Sequence, residues 1–194
     1  KEYGALEGGP YSDLFSKARA LVRLAAESTK PNGERLKEFT DSRLPQLKAQ
    51  LLSNAPVYKE LEIAKLTWSL TKIREDLSPD HPVVKKMLGV RSPAEVAKEL
   101  VNGTKLDELV ATAKDAKTGK PLPDTTSRTA LFNGGQAAID ASKDPMIEFA
   151  RTFDAEARAI RTKWENEVDG PLKKQQELLA KARFAVYGQS IYPD

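Results

Sequence analysis

Asp144 to Tyr187 reads "DPMIEFARTFDAEARAIRTKWENEVDGPLKKQQELLAKARFAVY", and the spacing of its apolar residues decides the fold. Met146, Phe149, Phe153, Ala157, Ile160, Trp164 and Val168 recur every three or four positions, the period of one helix face. Asp144 caps the start, with Pro145 at the tolerated first position. Leu172, Leu179, Ala182 and Val186 keep nearly the same phase beyond Gly170-Pro171. An internal proline removes a hydrogen bond and kinks a helix. The preserved phase therefore favours one long bent helix, with a tight reversal at "DGP" as the alternative.

Upstream of this stretch the same period returns. "LFSKARALVRLAAES" places Leu14, Ala18, Leu21 and Ala25 on one face, behind a helix start at Ser12 or Asp13. "RLKEFTDSRLPQLKAQLLS" reads as helix interrupted near Pro45, and Ala55-Pro56 stops it. "VYKELEIAKLTWSLTKIREDL" is the clearest helix, with Ile63, Leu66, Leu70, Ile73 and Leu77 in register. Leu61, Ala64 and Trp68 would widen that stripe, as suits a helix inside a bundle. "PDHPVVKKMLG" and "SPAEVAKELVNG" are shorter helices ending on Gly89 and Gly103, the second opened by a Ser92/Glu95 capping box. "TKLDELVATAKDAKTGKPLPDTTS" predicts a weak helix and then a polar surface loop over 116–127. "RTALFNGGQAAIDAS" resumes the helix, with a break at Gly134-Gly135.

The expected fold class is all-α: an irregular multi-helix bundle with a long C-terminal helix, kinked if it does not reverse. A single domain spans 1–194, with 1–12 as a flexible lead-in. The last residues, "RFAVYGQSIYPD", carry strand-and-turn chemistry, and helix should give out near Tyr187-Gly188. The chain opens on "KEYGALEGGP" without a starting Met and ends mid-pattern, so an excised piece of something longer is expected.

Composition narrows the chemistry. Thirty-one basic against 28 acidic residues, interleaved throughout, leave no concentrated basic face for nucleic acid. There is no cysteine, which excludes disulfides and thiolate catalysis. No apolar run approaches the roughly 18 residues of a membrane span. The lone histidine, His81, has no "GxSxG" serine to serve, and one His without Cys cannot build a zinc site. It reads as an exposed first-turn residue. Trp68 and Trp164 lie within apolar stripes, which favours core packing over ligand stacking. Asn32-Gly33 in "KPNGERL" is a turn, since both residues tolerate positive φ. A displayed Asn amide is also a neutral hydrogen-bond partner for a ligand amine or carbonyl. No metal or cofactor is expected, and the residues alone support a helical, non-catalytic domain.

Several segments together carry a resemblance: "PNGERLKEF", "YKELEIAKLTWSLTKIREDL", "GGQAAIDASKDPMIEFAR", "FDAEARAIRTKWENEV" and "AKARFAVYGQSIYPD". They resemble the middle of bacterial dipeptidyl peptidases of the VII and XI type, over nearly the whole chain except "ATAKDAKTGKPLPDTTS". That resemblance implies a helical domain inserted into, and excised here from, a larger α+β serine exopeptidase with a chymotrypsin-like double β-barrel. It implies a periplasmic or secreted enzyme of a Gram-negative bacterium, with a homodimer as an expected state of the parent. The family's catalytic His and Asp lie before the inserted domain and its Ser lies after it, so the fragment by itself should be inactive. The domain would cap the cleft and share the peptide substrate with the missing barrels. Asn32 is the residue implied to hold the substrate's α-amino group, and 188–194 would exit toward the barrel.

Overall fold

A computed structural model describes residues 1–53, 55–107, 109–114, 117–119, 121–123 and 126–188, with backbone alone for 109–114 and 121–123. The chain is helical, as the periodicity predicts, with one small two-stranded ribbon. In order, the described elements are α1 (Glu2–Leu6), α2 (Asp13–Ser28), α3 (Leu44–Leu51), α4 (Lys59–Leu77), α5 (Pro82–Leu88) and α6 (Pro93–Gly103). The ribbon, β1 (Leu109–Lys114) and β2 (Pro121–Pro123), comes next. It is followed by α7 (Thr126–Ala141), α8 (Pro145–Trp164) and α9 (Gly170–Tyr187).

α2, α5, α6 and α8 start where a side chain accepts from a free N–H of the first turn. Ser12 Oγ accepts from the Phe15 N–H at 3.1 Å, which fixes the start of α2. Ser92 and Glu95 complete the capping box of α6. Asp144 accepts from the Met146 N–H at 2.9 Å and also from Thr104 Oγ1 and the Lys105 N–H, so one carboxylate ties the end of α6 to the start of α8. Glu62 does similar work at a distance. Buried on α4, it accepts from the Leu14 N–H at 2.8 Å, placing a negative charge at the N-terminus of α2.

The core forms where α2 and α8 cross, with α4, α5 and α6 closing around them. Phe15, Phe149 and Phe153 pack ring to ring, with centroids 5.5 to 5.9 Å apart. Leu66, Leu70, Val96, Ala97, Val101 and Met146 fill the space around them.

The long C-terminal helix is continuous. A π-helical turn, Glu165–Asp169, joins α8 to α9, so the helix runs on rather than reversing. The Gly170 N–H reaches back to Glu165 O, and the wider turn accommodates the missing N–H of Pro171. α9 ends at Gly188, φ 60°, where helix was expected to give out. The remaining strand-like residues, 189–194, lie outside the described residues.

Five expectations need correction. Residues 1–12 hold α1, whose Ala5 and Leu6 are buried, instead of a flexible lead-in. Pro45 opens α3 from its first turn; it does not interrupt a longer helix. The weak helix expected after Leu106 is β1, paired antiparallel with β2 from inside the expected 116–127 loop. "LVATAK" is short and carries Val and Thr, and the Gly119 turn (φ 66°) folds "PLP" back onto it. Leu61 and Trp68 are exposed on the far side of α4, whose buried face is taken by Leu66, Leu70 and Ile73. Trp164 is only partly covered: it stacks on Tyr3 at 4.7 Å and donates from Nε1 to Asp169. The break within α7 falls at Gly135, φ 57°.

Candidate functional site

Asn32 stands on the segment that links α2 to α3. Pro31 leaves α2 in an extended conformation, and Asn32–Glu34 then forms a single 3-10 turn. Neither Asn32 nor Gly33 adopts positive φ, so the turn is right-handed, unlike the expected Asn-Gly reversal. The chain leaves through a second 3-10 turn, Lys37–Phe39. Phe39 is buried and roots the segment in the core, while Asn32 stays exposed.

The Asn32 amide is fixed. Its Oδ1 accepts from the Asp41 N–H at 2.8 Å. A carbonyl oxygen has two lone pairs, so one acceptor site remains, along with both N–H donors. Asp41 pairs with Arg35 at 2.7 Å, and Arg35 Nε donates to Lys30 O at 2.9 Å. The two ends of the turn are thereby closed on each other.

Glu27, fully buried at the end of α2, pins the segment from below. Its Oε2 accepts from the Leu36 N–H at 2.7 Å, and its Oε1 takes Lys30 at 2.8 Å and Arg158 at 2.5 Å. Burial alone would raise the Glu27 pKa, but the hydrogen bonds from Lys30, Arg158 and Leu36 outweigh it and hold the carboxyl at about 2. From Arg158 an ion-pair chain runs through Asp154 to Arg23 and on to Glu7. Arg161 joins Glu7 to Glu38, and its hydrogen bond to Glu38 raises its pKa. The exposed loop thus rests on a braced electrostatic base made by α1, α2 and α8. An open cleft of about 620 Å³, with Tyr3, Arg35, Lys37, Arg161 and Lys173 in its walls, lies beside it.

His81 has a different place. It caps α5, its Nδ1 accepting from the Val83 N–H at 3.3 Å, and its Nε2 lies 3.8 Å from Glu2. It is half-buried, more so than its sequence position suggested. Among the described residues no group of three or more His, Cys, Asp or Glu is arranged to hold a metal ion. No described helix is long and apolar enough to cross a membrane.

Sequence reasoning singled out Asn32 but missed its supports. Glu27 closes an otherwise ordinary amphipathic helix, and its partner Arg158 lies 131 positions away. Arg128, fully buried, is a second such case: it donates to Leu51 O and Ser53 O and pairs with Asp107. No local periodicity marks either.

No curated protein matches the chain. A family model does, that of Peptidase S46, and it matches residues 1–194, the whole chain. That full-length match means that the chain belongs to the peptidase S46 family.

Proposed function

We propose that this chain is the helical cap of a secreted or periplasmic serine-type dipeptidyl peptidase, covering the active-site cleft and binding the substrate's N-terminus through Asn32. The observation that carries the reading is the Asn32 amide: exposed, with one acceptor site open, and held by a backbone N–H at 2.8 Å. An α-ammonium needs acceptors at a fixed depth, and an amide oxygen supplies one without adding a full charge. Fixing the amine fixes which peptide bond meets the nucleophile, so two residues are measured off by geometry. Closure of the cap would also exclude water from the acyl transfer.

The chain leaves that chemistry to other parts of the enzyme. Its one histidine would have to be the base of any triad formed here, and it serves as a helix cap against Val83. The full polypeptide carrying this chain is expected to release dipeptides from free N-termini and to lose that activity to a serine-directed inhibitor. The isolated chain is expected to be helical by circular dichroism and silent on the same reporter. Dipeptide release by the isolated chain, or none from the full polypeptide, would overturn the assignment.

A second reading, a free-standing helical adaptor, draws on one observation. Leu172, Leu179 and Val186 stand exposed along α9, in which no residue is buried. Concentration-dependent self-association of the full polypeptide without peptidase activity would favour it.

A further inference from the structure

We infer that Arg35 is a positioning residue for the Asn32 amide, acting through Asp41; this rests on the reading of Asn32 as the amine-binding residue. Three contacts carry it. Arg35 Nη1 pairs with Asp41 Oδ1 at 2.7 Å, Arg35 Nε donates to Lys30 O at 2.9 Å, and the Asp41 N–H donates to Asn32 Oδ1 at 2.8 Å. Arg35 therefore grips the backbone before Asn32 with one edge of its guanidinium and the residue that orients Asn32 with another. Its side chain is only 15% exposed, whereas that of Asp41 is 64% exposed. The rigid planar fork is set into the protein wall, and Asp41 is the part that would drift if released. Without Arg35, Asp41 loses its partner, its N–H loses a fixed direction, and the Asn32 amide is free to rotate about its side-chain torsions. An amine subsite then loses orientation before the fold loses integrity, because the loop keeps two anchors of its own: buried Phe39, and the Leu36 N–H bond to Glu27.

The test uses the full polypeptide with two dipeptidyl reporters, one bearing a free α-amine and one lacking that amino group. Arg35→Gln is expected to raise KM for the amine substrate about fivefold, the loss of one oriented hydrogen bond, with kcat nearly unchanged. It should leave the desamino substrate untouched and have no further effect when combined with Asn32→Ala. Arg35→Lys keeps the charge but not the second edge, so partial rescue is expected. If Arg35→Gln behaves as wild type while Asn32→Ala is impaired, the positioning role is wrong and the amine site stands. Equal KM increases on both substrates, or additivity with Asn32→Ala, would show that Arg35 only supports the fold. If Asn32→Ala itself is silent, the amine-site reading fails and the inference falls with it.

Discussion

Glu27 decides more than any other single residue near the loop. Its carboxylate is fully buried, serves two cations and one backbone N–H, and titrates at about 2 instead of the ordinary 4.5. A carboxyl depressed in the folded state stabilises the fold above its unfolded pKa and loses that contribution as pH falls through the folded value. The window here runs from about pH 4.5 down to about 2, and the contribution is about 3 kcal/mol. Glu27→Gln is expected to cost a similar amount at pH 7 and to flatten the acid limb of a urea-stability profile. A variant with the wild-type acid limb would show that Glu27 carries no such linkage. None of this was legible in sequence, because Glu27 sits in α2 among charges that look solvated, and its partner Arg158 lies on α8. The caps were different. Ser92 with Glu95, and Asp144 before Pro145, could be read directly because their partners are two or three residues away.

The long C-terminal helix shows what periodicity can and cannot tell at the scale of one element. The stripe from Met146 to Val186 predicted one continuous helix face, and the backbone follows it across the π turn. Periodicity marks a face without saying what covers it. Phe149, Phe153 and Ala157 are buried against α2, whereas Leu172, Leu179 and Val186 on the same stripe are exposed. Phe153→Ala is accordingly expected to cost about 3–5 kcal/mol by urea denaturation, a core cavity among stacked rings. Leu179→Ala should stay within about 0.5 kcal/mol, as at an uncovered surface position. Comparable losses at both sites would mean that α9 is packed in solution. The same lesson explains Trp68, which is in phase with an apolar stripe yet exposed, because α4 is buried on one side only. The ribbon at β1 and β2 differs from the expected weak helix for another reason. A six-residue apolar segment near Gly and Pro is ambiguous by itself, and pairing resolves it.

At the scale of the whole molecule, a bundle built around α2 and α8 carries an exposed loop on a buried lattice of ion pairs. Removing one member of such a lattice leaves its partner buried and uncompensated, so the pairs hold one another in place. A scaffold of that kind is consistent with the role proposed for Asn32. Fold class was legible because helix period and caps are local signals. The Asn32 turn was legible as a turn with an amide able to meet a ligand, and the resemblance to dipeptidyl peptidases suggested which ligand. The measurement that bears most directly on that role is amine selectivity in the full polypeptide. It is the ratio of kcat/KM for a dipeptidyl reporter with a free α-amine to that for its desamino analogue, compared between wild type and Asn32→Ala. A fall in that ratio of about tenfold or more, with the thermal midpoint nearly unchanged, is the expected result. An unchanged ratio would contradict the assignment of Asn32 as the residue that binds the substrate's N-terminus.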